Sequence, residues 1–412
     1  MNETGPISTT SAASHARAYR WGVLVAATLA QTSTCFLVQG FGPLAPFMQD
    51  ALDLNAFEIG LLISAAQIVP VIGLLVAGEL LDRFSERLIV GGGALVVAFA
   101  LAAASTASTF PGLLAWLLLV GTGYSSAQPG GSKAVSSWFS AGQRGVAMGV
   151  RQSGLPLGGA LAAATLPAVA AAHGWPAAFR VGAAVAALGG ALFIAVYRPP
   201  AEIATQRAAS AASALAARLS LLGDGGMRRI MLSGLVLVTT QYGILVFLVL
   251  DARDRFGLPV ATGALLLVLA QLAGVVGRVA LAAWSDRSRN GRTFPIAVCL
   301  WALVAGLLAF LVAPGAGPWP LAVLAAWLGF FGLGWYGPWV AWVSESAPPE
   351  RVGFAFGLVM AINQVAIVAS PPLLGFLRDS TGGYAVDWIL LIVLLLTCLG
   401  ATRLGRAKGQ NS

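Results

Sequence analysis

The sequence predicts an all-α integral membrane protein, with twelve transmembrane helices in two six-helix pseudo-symmetric halves. The first observation is composition: 58% of the 412 residues are hydrophobic and 10% are charged, with a mean hydropathy of +0.83. Soluble domains carry about 25% charged residues. The second is a recurrence of apolar runs long enough to cross roughly 30 Å of hydrocarbon. They are rich in Ala, Leu and Gly without strand-like alternation, which favours helices over a barrel. The third is a charged turn, Gly78-Glu79-Leu80-Leu81-Asp82-Arg83-Phe84-Ser85-Glu86-Arg87, echoed 204 residues later by Trp284-Ser285-Asp286-Arg287-Ser288-Arg289. A displacement close to half the chain marks two copies of one unit. Repeated membrane halves that face each other commonly hold a ligand site between them.

Residues 1–20 are polar and lack a separate short apolar core, so they read as a tail and not as a cleaved signal. The first half, 21–197, places spans at about 21–48, 56–81, 88–108, 111–138, 145–170 and 177–197. A polar stretch at 198–229, with Arg198-Pro199-Pro200 and Arg228-Arg229, reads as the linker. The second half, 230–403, places spans at about 230–251, 259–284, 294–313, 319–343, 352–377 and 386–403, before a tail at 404–412. With the N-terminus inside, seventeen Lys and Arg fall on the cytoplasmic side and only Arg180, Arg253, Arg255 and Arg378 outside. That bias predicts cytoplasmic termini and a cytoplasmic linker. It also accounts for the net charge of +8 without nucleic acid, since the cations sit in short loops beside apolar spans. Cys35, Cys299 and Cys398 lie inside apolar runs, which leaves no disulfide framework and no CxxC pair for a metal. No cofactor is expected.

Twelve spans, a cytoplasmic middle loop and the turn Gly78…Leu80…Asp82-Arg83…Arg87 resemble the major facilitator superfamily, whose signature reads G-x-L-x-D-R-x-x-x-R. The second half keeps a degraded copy in Gly277-Arg278 and Ser285-Asp286-Arg287. The resemblance covers nearly the whole chain. Within that superfamily, Gly329-Phe330-Phe331-Gly332-Leu333-Gly334-Trp335 and Ser370-Pro371-Pro372-Leu373-Leu374-Gly375-Phe376-Leu377-Arg378-Asp379 are similar to the monocarboxylate porter and related organic-anion branches. Arg278, eight residues before Asp286, matches the spacing of that branch's substrate-binding arginine. Pro43 stands near the position of the branch's first-span lysine, and Gly274 at that of its aspartate one turn before the arginine. The resemblance therefore implies no proton handling by those groups. Drug/proton antiporters are less similar, because Gly121-Thr122-Gly123-Tyr124-Ser125-Ser126-Ala127-Gln128 lacks their fourth-span arginine.

A charge within hydrocarbon costs about 2.5–3.5 kcal/mol on insertion scales and is expected to face a cavity or a partner. Arg278 lies about 12 Å inside its span end and Arg151, seven residues past Arg144, about 10 Å, at about 1.5 Å of rise per residue. In the resembling fold the fifth and eighth spans face each other, which implies two guanidinium groups opposed across a central cavity. All sixteen acids fall in loops or near span ends, so the cavity should be positive and its ligand an anion, which a guanidinium fork suits. The competing readings are backbone or Gln271 bonding for Arg278 and snorkelling to the surface for Arg151 and Lys133. Candidate wall groups are Gln39, Tyr124, Gln128, Gln152, Gln241, Tyr242, Gln271, Trp335, Tyr336, Asn363 and Gln364, against ordinary bonding between helices. Gly274 leaves room for a ligand or for close packing. Trp335-Tyr336-Gly337-Pro338 should weaken its helix. Gly78, Asp82, Arg83 and Arg87, with Asp286 and Arg287, are read as a latch between helices that also anchors topology.

The expectation is an inner-membrane secondary transporter of a small organic anion, foremost a monocarboxylate, working by alternating access as a monomer. Proton symport, anion exchange and facilitated diffusion are all open. Arginine does not deprotonate, and His15 and His173 lie outside the spans, so a coupled proton would ride on the substrate, Glu79 or Asp251. The alternatives are another anion (nitrate, cyanate or a sugar acid), a drug/proton antiporter or a non-transporting sensor. A sensor needs an output domain, and about 30 residues of linker cannot bury a core. No nucleophile–base–orienter set points to an enzyme.

Overall fold

The computed structural model describes residues 7–139, 141–199, 225–288, 291–313, 317–346 and 352–409. Most of the expected linker lies outside the described residues. Among the described residues there are twelve helices or helix pairs apolar and long enough to span, from Tyr19–Leu52 to Ala385–Thr402. The fold class is as the sequence predicts: helical throughout the described residues, in two six-span halves. Both ends of the bundle's chain lie on one face, here the terminal face.

Four spans are not continuous helices. Span 1 divides into Ile7–Gln39 and Phe41–Leu52, and span 4 into Phe110–Tyr124 and Ala127–Trp138. Span 5 divides into Ala141–Gln152 and Gly154–His173, and span 10 into Pro318–Gly334 and Tyr336–Ser346. Each second piece carries proline at its third position: Pro43, Pro129, Pro156 and Pro338. Proline donates no N–H to the carbonyl four residues back and its ring clashes there, so the helix breaks just upstream. The freed carbonyls are available to side chains. The break in span 10 falls within the stretch expected to be weak.

The halves meet most closely at the opposite face. Asp379, late in the helix Val352–Thr381 of span 11, accepts from the backbone N–H of Ala56 at 3.2 Å and of Phe57 at 2.8 Å. These are the first turns of span 2, helix Ala56–Arg83, whose N-terminus favours an anion. Arg253 pairs with Asp50 at 2.9 Å on the same face. Backbones nearly touch: a Cβ on Gly375 would stand 2.2 Å from the Ala56 carbonyl, and one on Gly42 2.1 Å from that of Leu245. Deeper in, Ser64 donates to the Val368 carbonyl at 2.6 Å and Gln364 to the Gln67 carbonyl at 2.8 Å. Among the described residues, the hydrogen bond between halves nearest the terminal face is Arg278 to Gln152, at mid-depth. The conformation is closed at the opposite face.

Candidate functional site

Arg278 sits mid-way along the helix Val260–Arg287 of span 8. Gly274 and Gly277 bring span 10 against that helix: Leu333 stands 2.7 Å from where a Gly274 Cβ would be, and the Phe330 carbonyl 2.3 Å from one on Gly277. Gly274 thus serves close packing and not ligand room. The Arg278 side chain is half-buried. Its Nε donates to the Leu333 carbonyl at 3.1 Å, and Nη1 to the Gln152 carbonyl at 3.0 Å across the two halves. Pro156, four residues after Gln152, lacks the N–H that would otherwise claim that carbonyl. The guanidinium lies 5.3 Å from the centre of the Tyr336 ring, a cation–π distance. Among the described residues Nη2 has no hydrogen-bond partner.

Arg151, adjacent to Gln152, corrects an expectation. It neither opposes Arg278 across an open cavity nor snorkels, but is 0% exposed inside the first half. Nη2 donates to Gln31 Oε1 at 2.6 Å and to the carbonyls of Ala127 and Gln128 at 2.8 and 3.0 Å; Nη1 donates to Ser132 Oγ at 3.0 Å. The first turn of the helix Ala127–Trp138 presents these carbonyls, and Gly131 makes the space, since a Cβ there would lie 2.6 Å from Nε. Every partner is neutral. Among the described residues no carboxylate pairs with Arg151 or Arg278. Both arginines are within electrostatic reach of Cys35 and Tyr336, so one region of the interface feels two uncompensated charges.

Around them the structure gathers part of the expected wall. Cys35 Sγ is 3.7 Å from both Tyr124 Oη and Gln31 Nε2. Gln241 Oε1 accepts from Trp335 Nε1 at 3.1 Å, and Tyr336 Oη lies 3.9 Å from the Met360 sulfur. Gln67 Nε2 donates to Tyr242 Oη at 3.3 Å, and Gln364 reaches the same glutamine. Gln128 contributes its carbonyl, not its amide. Asn363 stands apart, against Gly234 beside Trp339. Among the described residues, Nε2 of Gln39, both amide atoms of Gln271 and Oδ1 of Asn363 are buried and find no partner. Sequence reasoning missed Gln31 and Gln67, though a glutamine midway along an apolar run was a visible signal. An open groove of ≈ 730 Å³, lined by exposed apolar groups such as Ile72, Val76 and Val96, lies between spans 2, 3 and 4 and does not include either arginine.

Of the expected latch at the terminal face, the structure describes the second-half part and only some of the first. The helix continues through Gly78 and Asp82, whose side-chain surroundings lie outside the described residues. Arg83 is exposed and Arg87 half-buried. Lys133 donates to the Leu81 carbonyl and lies 3.6 Å from the buried Glu86, which places it at this end of the half and away from the arginines. In the second half Asp286 is paired not by the exposed Arg287, which bonds the Ala283 carbonyl, but by Arg292 at 2.7 Å. Arg292 also grips Glu345 at 2.5 Å, tying span 8 to span 10. Those bonds, Glu345 foremost, hold the guanidinium charged beyond the usual arginine range, against a smaller opposing effect of burial. Among the described residues no ion pair joins the two motif turns.

A family model described as Major Facilitator Superfamily matches residues 27–371. An uncharacterised MFS-type transporter of Mycobacterium tuberculosis is 27% identical over 92% of this chain and 84% of its own length. A hexuronate transporter of Bacillus subtilis is 26% identical over 84% and 85%, and monocarboxylate transporter 13 of Rattus norvegicus 27% identical over 92% and 87%. Among solved structures, a bacterial homologue of the human lysosomal transporter Spinster, in an inward-facing and occupied conformation, superposes with a TM-score of 0.75. It is 16% identical, over 94% of this chain and 97% of that one.

Proposed function

From membership of the major facilitator superfamily, to which this chain belongs and which makes it a transport protein, and from its likeness to hexuronate and monocarboxylate transporters, we propose that it moves a small organic carboxylate by alternating access. The observation that carries this reading is Arg278. It is a permanent cation at the junction of the halves, and among the described residues it bonds only to carbonyls and a ring, with one amino group unclaimed. A carboxylate is the better acceptor for that fork. On binding it takes Nη2 and competes with the Gln152 carbonyl for Nη1, which releases one tie between the halves. The substrate thereby favours one arrangement over the other by differential contact, which is the condition for driving a conformational change.

A second reading concerns the rest of the ligand. The unpartnered amide groups of Gln39 and Gln271 favour a hydroxylated acid, such as a sugar acid, over a plain monocarboxylate, because buried amide groups gain by pairing. The orientation with cytoplasmic termini, supported by the cation bias, the inner-membrane location and the monomeric state belong to the same proposal. The test is uptake of labelled lactate, glucuronate, galactarate and phenylpropionate into proteoliposomes at two pH values, each competed with the others. Saturable uptake of at least one acid is expected. Uptake equal to that of empty liposomes for all of them, under both conditions, would overturn the proposal in favour of a sensor.

A further inference from the structure

At the opposite face the second half carries four acids and two arginines in one cluster. Asp251 Oδ2 accepts from Arg255 at 2.8 Å and from Trp388 Nε1 at 2.8 Å. Asp254 pairs with Arg378 at 2.8 Å and accepts from Tyr384 at 3.3 Å. Asp379 takes the other arm of Arg378 at 3.2 Å and the two N–H groups that begin span 2. Asp387, in the first turn of the helix Ala385–Gly409, is left over. It is 1% exposed, and among the described residues neither carboxyl oxygen has a hydrogen-bond partner.

The groups that act on Asp387 come from every packed element. From span 7 they are Asp251, with Asp254 and Arg255 beside it; from span 11 they are Arg378 and Asp379. Tyr384 precedes its own helix, and burial, then Asp254, raises that phenol far above its ordinary range. Span 9 contributes the ring of Phe310 against Trp388 and no charge. Both arginines are engaged by other acids. An ionised carboxylate at Asp387 would therefore be buried beside the like charges of Asp251 and Asp379, with no hydrogen-bond donor among the described residues, against the opposing pull of Arg378 and of its own helix N-terminus. The neutral carboxyl is the form this setting tolerates.

We infer that Asp387 is a proton-binding site linked to closure of the opposite face. Arg378 is the connection. While Asp379 caps span 2, Arg378 is held between Asp254 and Asp379, and Asp387 keeps its proton. When span 2 withdraws, Asp379 loses its two N–H donors and water enters the cluster. The O–H bond of Asp387 then breaks, and the proton passes to that water, on the opposite face. Acidity on that face consequently favours the closed arrangement seen here. The inference rests on the alternating-access reading and names where that reading responds to pH.

The test places spin labels at the exposed positions Ala51 and Ser380, one on each side of the closure, in the full-length protein, whose native cysteines are all buried. Between mildly alkaline and mildly acidic pH the closed-to-open ratio of the wild type should rise about tenfold, the ratio that one unit of proton linkage supplies. D387N should stay closed and lose the pH response, while D387E should keep it. The infrared carbonyl stretch of a protonated carboxyl should be present in the wild type and absent in D387N. An unchanged pH response in D387N, no response in the wild type, or a band unaffected by the substitution would overturn the site. A single distance under every pH and substrate condition would instead overturn alternating access, and the infrared band would then decide the proton site alone.

Discussion

Gln152 and Arg278 belong to opposite halves, and Nη1 of Arg278 donates to the carbonyl of Gln152 at 3.0 Å. The next residue back, Arg151, is wholly enclosed by its own half. Two neighbouring positions on one broken helix therefore do different things. One hands its carbonyl to the partner half, and the other braces the break with four neutral hydrogen bonds. The charge proposed to meet substrate and the charge that braces the broken helix are separate residues.

Arg278→Gln should lower initial uptake of the preferred acid about 100-fold, the loss of roughly 3 kcal/mol from a charge-assisted pair. Arg278→Lys should lose at least about tenfold, because a point donor cannot serve Leu333, Gln152 and a carboxylate together. Uptake in proteoliposomes checks both, with melting temperatures expected within a few degrees of wild type. Wild-type uptake in Arg278→Lys would mean that charge alone suffices.

Pro156→Ala restores an N–H four residues after Gln152. That donor competes for the carbonyl that Arg278 now uses. A hydrogen bond to a charged group contributes about 1.5–3 kcal/mol, so weakening this one should shift the balance between conformations by about tenfold or more. Cross-linking yield between spans 5 and 8, read with cysteines on the two helices, should fall accordingly, with little loss of helix content.

The twelve spans and their pairing into halves were legible because hydropathy and the repeated turn are properties of whole segments. Arg278 was legible because a lone charge in an apolar run has few places to go. The four helix breaks were legible only in part. Pro338 stood out beside Trp335 and Tyr336, whereas Pro43, Pro129 and Pro156 act through backbone carbonyls that a side-chain reading does not count. The burial of Arg151 rests on the carbonyls of Ala127 and Gln128, in the first turn of the helix after the break in span 4, which a side-chain reading likewise passes over. Arg292 lay outside the repeated motif, and its grip on Asp286 and Glu345 needed the fold to bring span 10 alongside.

Arg151→Leu should act on stability before it acts on transport. It removes the donor that the buried Gln31 amide oxygen and Ala127 carbonyl share, at about 1–3 kcal/mol for each acceptor left short, while the half-buried Ser132 and the Gln128 carbonyl keep their bond to each other. The expected result is a lower melting temperature of the empty protein and poor yield, unlike Arg278→Gln. Gly131→Ala should reproduce a milder form, because its Cβ would press on the guanidinium at 2.6 Å. A wild-type melting temperature in both variants would count against the bracing role.

Asp379→Asn keeps the shape of the group that begins span 2 but removes its charge. The carboxylate gains both from two N–H bonds, at 3.2 and 2.8 Å, and from the positive end of the helix. An amide can accept one such bond and presents an N–H to the other, so the closure loses about 1–2 kcal/mol. Because Asp379 and Ala56 lie on different halves, that loss falls only on the closed arrangement. The variant should populate conformations open at the opposite face about fivefold to thirtyfold more, by conversion of that energy. Accessibility of a cysteine placed at Gln67 to an impermeant reagent added from that face should rise. Arg378, freed from one acid, should keep Asp254, so helix packing within the second half should be unchanged. Unaltered accessibility at Gln67 would mean that the contact follows closure and does not maintain it.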